Sequence, residues 1–337
     1  MLKRIMKCGV AGVAMIFSAF AVQAQTANCA STPNMDHPHV LLSNGEAEML
    51  VFLPDSERGY YRSTRFDWSG VIGCATYKGH NYWGEWFPHY DATVNDSITG
   101  PVEEFRSEDG GLGYGTAKPG DPFVKIGVGV LRKAGDEPYQ FGHKYDIVDL
   151  GHWTVKAKKR SVTFEHLLKS PTGVTYKYVK ELTLSAHGAT ITLHHTLKNL
   201  GTAAIVTDVY DHDFFMLDHQ PTGPGMQITF PFAPEPDQPL DPQAVVDGKS
   251  IVYKQELEPH KTVSAYIKGY GSTPASYDIK VEDTNRHFGV EQTSDQPIAK
   301  FYLWSIRTTI SPEAYIHLDV APKAAQSWTI TYRLFGE

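Results

Sequence analysis

The chain has 337 residues, 41% of them apolar and 12% aromatic, and a formal net charge of −7. That is enough apolar material for one large core or two smaller ones. The negative balance argues against a general nucleic-acid binder, which needs a basic face. Three cysteines without a CxxC pair give no support to a thiolate zinc site or a thioredoxin-like centre.

At the N-terminus, Lys3, Arg4 and Lys7 precede the apolar run CGVAGVAMIFSAFAV, and small residues lead up to Ala24. This is the layout of a secretory signal peptide, and the run is short for a membrane span. The expected organisation is a signal peptide over 1–24, a tail over 25–40 and a single β-sandwich domain over 41–337. The mature protein is expected in the periplasm or secreted, with no membrane association once the signal is removed. Cys8 would leave with the signal. Cys29 and Cys74 then remain in an oxidising compartment, either as a disulfide or as two isolated thiols.

HVLLSNGEAEMLVFLP predicts two strands around an Asn44-Gly45 turn. The stretch from Tyr60 to Trp86, with Arg62, Arg65, Trp68 and Trp83, suits either a glycan surface or the aromatic packing of an N-terminal sheet. The Gly-rich segment from Gly110 to Pro122 reads as a loop, and its GGLGYG lacks the spacing of a dinucleotide fingerprint. Onward from Phe123, short runs rich in Val, Ile, Thr, Tyr and Phe alternate with turn residues. They include SVTFEHLL, VTYKYVKELTL, ATITLHHTL, AAIVTDVYDHDFF, MQITFPF, TVSAYIKGY and SWTITYRLF. Helical periodicity is missing, so the expected fold is all-β, a large antiparallel β-sandwich.

Three places could carry chemistry. In VYDHDFF a period of two puts Tyr210, His212 and Phe214 on one face and Asp211, Asp213 and Phe215 on the other. A histidine between two rings suits a sugar, because rings stack on a pyranose face while imidazole handles a proton. A histidine hydrogen-bonded at a sheet edge is the plainer account of the same pattern. His143, in a Gly-bounded loop before a strand-like run that leads to His152 and Trp153, is placed for a cleft rim or for solvent. In SPEAYIHLDVAP, Glu313, Tyr315, His317 and Asp319 share one face and Ala314, Ile316, Leu318 and Val320 the other. Glu313 is then a candidate general base or part of a solvated strand face. No metal site is expected: His37 and His39 lie in the tail, and adjacent His194 and His195 point opposite ways.

The run GVGVLRK…YQFGHKYDIVDLGHWTVKAKKRSVTFEH, followed by YKYVKELTLSAHGATITLHHTLKNLGTAAIVTDVYDHDFF, resembles the middle of the galactose mutarotase-like superfamily, aldose 1-epimerases and relatives. The likeness covers roughly Lys125 to Phe335 and implies that superfamily's supersandwich fold. His212 falls on the family's general-acid histidine, and His143 on a second, sugar-binding histidine. Glu313 is the nearest match to its catalytic carboxylate, and Arg132 to a sugar-binding arginine. Tyr210, Phe214 and Trp153 would complete a sugar site. Asp211 departs from the family by standing where an Asn is usual. The implied activity is anomer interconversion by acid/base ring opening of a carbohydrate small molecule or glycan end, without a cofactor. The alternatives are a non-catalytic carbohydrate-binding protein and a polysaccharide lyase-type enzyme on the same fold.

Overall fold

The computed structural model describes residues 28–240 and 242–337, so the expected signal peptide and Cys8 lie outside the described residues. Within these limits the chain is all-β, with three short 3-10 turns as its helical elements. No described helix is long and apolar enough to cross a membrane.

Two large antiparallel sheets form the sandwich. The ten-stranded sheet runs, in spatial order, through Ala244–Asp247, Ser250–Tyr253, Met226–Thr229, Asp278–Asp283, Phe288–Ser294, Ala325–Phe335, Thr190–Asn199, Thr175–Leu184, Ser161–Lys169 and His152–Ala157. The six-stranded sheet runs through Glu235–Pro236, Val263–Lys268, Lys300–Ile306, Thr309–Val320, Ile205–His212 and Val102–Arg106. The alternation in the sequence fixes which faces meet. In Thr175–Leu184, Tyr176, Tyr178, Lys180, Leu182 and Leu184 are all buried while the intervening side chains are half-exposed. In Thr309–Val320, Ala314, Ile316, Leu318 and Val320 face the same core. Burial of these alternate apolar side chains on both sheets, at roughly 25 cal/mol per Å², is the main force holding the layers together.

The Asn44-Gly45 turn joins His39–Ser43 to Ala47–Phe52 as expected, with Gly45 at φ +92°, where L-residues with a Cβ are disfavoured. Asn44 also closes the turn through its side chain, which accepts from Glu46 N and Ala47 N at 2.8 Å. Cys29 and Cys74 form a disulfide, with Cα atoms 5.6 Å apart. It ties the residues before the first strand to Val71–Tyr77 across 45 residues, a loop worth about 3–4 kcal/mol in the chain-entropy account. The aromatic stretch from Tyr60 is mostly packing: Tyr60, Tyr61, Phe66, Trp68, Tyr82 and Trp83 are buried. Arg65 and Trp86 are the exceptions, and they reach the site.

One feature of the sandwich runs against the apolar rule. Lys180, on the core face of its strand, is fully buried and pairs with Glu103, which also accepts from His195 Nε2 at 2.7 Å. Burial would raise the Glu103 carboxyl, but Lys180 and His195 hold it down to about 2. Asp67, buried nearby and 3.9 Å from Lys180, is pushed up to about 7, mainly by burial. The interior therefore holds buried ion pairs, Lys180–Glu103 here and Arg65 and Lys125 on Glu104 nearer the outer face, beside several neutral acids, Asp211 and Asp213 among them.

Candidate functional site

Two neighbouring strands of the six-stranded sheet build the site. Ile205–His212 pairs with Thr309–Val320 through Val209 and Ile316, and beyond the strand end the Phe215–Ile310 bridge keeps the same register. His212 and Glu313 therefore face each other across the ladder, on the side of the sheet turned away from the core. His212 Nε2 lies 3.3 Å from Glu313 Oε1. Both are buried, 4% and 3% exposed, at the bottom of a cavity of about 390 Å³. The position of Glu313 thus differs from a solvated strand face.

Each side chain is held. Ser311, two residues before Glu313 and on the same face, lies 2.8 Å from His212 Nδ1 and accepts from Asp213 N at 2.9 Å. Its hydroxyl can donate to a neutral ring or accept from an imidazolium, so it supports either state. Phe214 stacks on His212 with centroids 3.7 Å apart, and Trp304 meets the ring edge-on at 5.3 Å. Phe214 sits at φ +45°, a strained conformation for an aromatic residue, and this turns it back over the histidine. Behind this turn, Gly100 has no room for a side chain. A methyl group there would stand 2.5 Å from Asp213 O and 2.6 Å from His212 O. Gly100→Ala is expected to cost about 1–3 kcal/mol by overpacking and to displace the histidine. Thermal unfolding together with the His212 NMR resonances checks this. An unmoved resonance would show that the backbone yields elsewhere.

The walls are charged and aromatic. Arg65 donates from Nε to Glu104 at 2.9 Å and from Nη1 to Asp96 at 2.5 Å. Tyr210 donates to Glu104 at 2.6 Å and stacks on Tyr315 at 4.2 Å. Arg106, Trp86, Phe141, Tyr302 and Tyr266 complete the lining. Burial would raise the Glu104 carboxyl, but Arg65, Lys125 and Arg106 keep it well below its usual range. Glu313 has no cation of its own: burial pushes its carboxyl up to about 8. Burial, and then Arg65, push the His212 imidazole well below its ordinary value. The two shifts describe one state, a neutral acid beside a neutral base. That state carries the same number of protons as the imidazolium–carboxylate ion pair, so transfer along the 3.3 Å contact converts one into the other.

The face opposite His212 accounts for the two aspartates. Tyr332 OH lies 2.5 Å from Asp211 Oδ2 and 2.7 Å from Asp213 Oδ1. A phenol has one proton, so it donates to one carboxyl and must accept from the other, which is then protonated. Burial, helped by Glu103, pushes Asp211 up to about 8, and burial with Asp211 raises Asp213 well above the usual range. One oxygen of each finds no partner, which a neutral carboxyl tolerates and a buried carboxylate does not.

Of the residues singled out in the sequence, His212, Glu313, Tyr210 and Phe214 meet in this cavity. Three others do not. His143 is exposed, against Tyr145 at 4.6 Å in a separate hollow; Phe141, two residues earlier on the same loop and half-exposed, is the side chain that lines the cavity, over Arg65. Arg132 ends the short strand Gly129–Arg132, faces solvent and donates to Gly120 O at 3.1 Å. Trp153 stacks on His166 at 4.0 Å on the outermost strand of the ten-stranded sheet. The arginines of the site are Arg65 and Arg106. Among the described residues, no group of three or more His, Cys, Asp or Glu is arranged to hold a metal ion.

A two-sheet supersandwich with an acid/base pair on its outer face is the arrangement to set beside known proteins. No protein-family model and no curated protein matches the sequence. Solved structures do match. A galactose mutarotase-like protein from Clostridium acetobutylicum superposes with a TM-score of 0.55 at 11% identity, covering 89% of this chain and 95% of that one. The Slr1438 protein from Synechocystis sp. PCC 6803 gives 0.54 at 14% identity, covering 92% and 100%. The GalM/aldose epimerase homologue from C. elegans gives 0.51 at 10%, covering 88% and 98%. The chain has the galactose mutarotase-like fold, over most of its length; at these identities the likeness is one of fold.

Proposed function

We propose that this is an exported protein that binds a sugar in the His212–Glu313 cavity and interconverts its anomers by acid/base ring opening. The observation that carries the proposal is the 3.3 Å contact between His212 Nε2 and Glu313 Oε1. In a cyclic sugar the anomeric hydroxyl and the ring oxygen hang on one carbon, so the groups that serve them must converge. Glu313, as carboxylate, takes the proton of the anomeric hydroxyl while His212, as imidazolium, gives one to the ring oxygen. The ring opens to the aldehyde, the terminal bond rotates, and closure by the reverse transfers yields the other anomer. A sugar entering the cavity brings hydroxyl dipoles that favour the ionised tautomer of the pair. Arg65, fixed by Glu104 and Asp96, and Arg106 present donors to its hydroxyls.

Two-carboxylate glycoside hydrolysis needs carboxyl groups about 5 Å or more apart with both free to act. Glu104 and Asp96 are instead committed to Arg65. A lyase would need a tyrosine that ionises readily, whereas burial, with Glu104 or Glu313, holds Tyr210 and Tyr315 well above the ordinary phenol. Export rests on the N-terminal charge and apolar pattern, and a disulfide between Cys29 and Cys74 fits an oxidising compartment.

Saturation-transfer NMR on hexoses, pentoses and uronic acids tests the activity. Exchange no faster than in buffer, with binding retained in calorimetry, would make the protein a carbohydrate-binding module; exchange absent without binding would remove the sugar site altogether.

A further inference from the structure

The catalytic pair belongs to a longer row. Across the six-stranded sheet, Glu313 pairs with Tyr302, and Tyr302 pairs with Tyr266. His212, Glu313, Tyr302 and Tyr266 thus stand on four successive strands, side by side on the outer face. Strands lie about 4.8 Å apart, so the row extends about 10 Å beyond Glu313 toward the sheet edge. Both tyrosines line the same cavity as the pair, with rings 4.9 Å apart. Trp304, one position along from Tyr302 on that face, joins Trp86 at 5.7 Å to flank the start of the row.

Core packing does not explain these rings. Tyr266 is 46% exposed, on a sheet face where alternation ordinarily places polar side chains. Its neighbours on that face, Ser264 and Lys268, follow the ordinary pattern and do not cover it. The edge strand is two residues long, Glu235–Pro236, and Asp237 after it bonds the Tyr266 backbone, donating from N to Tyr266 O at 2.9 Å, while the Tyr266 ring stays half-exposed. A line of aromatic faces leading out of a polar cavity is suited to stacking successive pyranose rings, whose C–H faces are apolar and whose hydroxyls stay in water.

We infer that the cavity takes the reducing end of an oligosaccharide, with the following sugar units lying on Tyr302 and then Tyr266. The inference deepens the sugar-site reading and rests on it. The reducing unit is the one placed between His212 and Glu313, since only it carries a free anomeric hydroxyl. The chain then leaves over Tyr266 toward the edge of the sheet.

The test is calorimetry with the mono-, di- and trisaccharides of the cello-, xylo- and galacturonide series. Affinity is expected to rise about tenfold from mono- to trisaccharide in the series that fits, the equivalent of one well-made stacking contact. Tyr266→Ala is expected to cancel most of that rise, and Tyr266→Trp to keep it. Trisaccharides reduced to the alditol are expected to lose the gain, because their end unit has no ring to enter the cavity. A monosaccharide bound as tightly as its trisaccharide in every series would overturn the extended site while leaving anomer exchange on monosaccharides intact. A length-dependent gain that survives Tyr266→Ala would place the chain elsewhere and overturn it too. Binding with length dependence but no anomer exchange would overturn the catalytic reading and leave this one standing.

Discussion

Glu313→Gln is expected to slow anomer exchange by about 10²–10⁴-fold, the span of a general acid–base contribution, with sugar binding changed far less. The amide keeps the size of the carboxyl and its contact with His212, but it can neither take the anomeric proton nor pass one to the imidazole. His212→Asn should lose a comparable factor, and the double variant little more, because the two groups share a single proton and act as a unit. The pH profile gives the sharper signature. In the wild type the pair keeps its one proton over the neutral range, on whichever partner, so the rate should be level there. Above about pH 8, where Glu313 ionises, the proton is lost and the rate falls. At low pH a second proton enters His212, whose affinity for it is depressed, so the acid limb should lie well below the ordinary imidazole value. Saturation transfer across pH 4–10 reads both limbs. A Glu313→Gln protein exchanging anomers at the wild-type rate would remove the carboxylate from the reaction.

Lys180→Met should be the most destabilising single change outside the site. Removing one partner of a buried ion pair leaves the other charge stranded, at about 3–5 kcal/mol. Glu103 is fully buried and held ionised chiefly by Lys180, with His195 second. The melting temperature should drop by roughly 10 °C for a chain of this size. Adding Glu103→Gln should restore much of the loss, because an amide needs no counter-charge there and can still meet His195. Thermal unfolding of the two single variants and the double closes the cycle. Additive effects would mean that Glu103 and Lys180 do not act as a pair.

The strands were legible because the sandwich is built by alternation, and alternation is written in the sequence. VTYKYVKELTL buries one side and half-exposes the other, and SPEAYIHLDVAP buries its Ala314, Ile316, Leu318 and Val320 side, although Glu313 and Tyr315 on the other side are buried as well. The same rule grouped His212 with Tyr210 and Phe214, without saying which face of that strand looks outward, and set Glu313 opposite Ala314 and Ile316; it could also have found Ser311, one period before Glu313. Arg65, Asp96, Trp86 and Phe141 come from loops, where no periodicity says which side chain turns inward. His143 illustrates the gap: its loop does reach the cavity, through Phe141, and a shift of two residues separates lining from solvent. Arg132 lay on a strand whose other residues are buried, and its own side chain is the one that points out. Asp211 and Asp213 were unreadable for another reason. Their burial depends on Tyr332 and Gln292, which arrive from strands far along the chain.

Those interior acids make folding an act of proton uptake. Asp211 and Glu313 with values near 8 and Asp213 well raised hold protons at neutral pH that an unfolded chain, titrating near 4, would release, and Asp67, near 7, holds one about half the time. Their contribution to stability is complete below about pH 4 and is lost as pH climbs to about 8. His166, lowered to about 4 chiefly by burial, and His195 and His212, lowered likewise, work in the opposite sense: unfolding lets them take up protons below about pH 6.5. Between roughly pH 5 and 6.5 the three histidines offset part of what the four acids lose. Above that range the acids outweigh the rest, with Lys125, lowered to about 8 by burial, opposing them only near the top of it, and the melting temperature should fall toward pH 8, less steeply in Asp211→Asn. A melting temperature that rose from pH 6.5 to 8 would mean these carboxyls are charged inside the protein. With the offset in place, the sandwich holds best in mildly acidic surroundings.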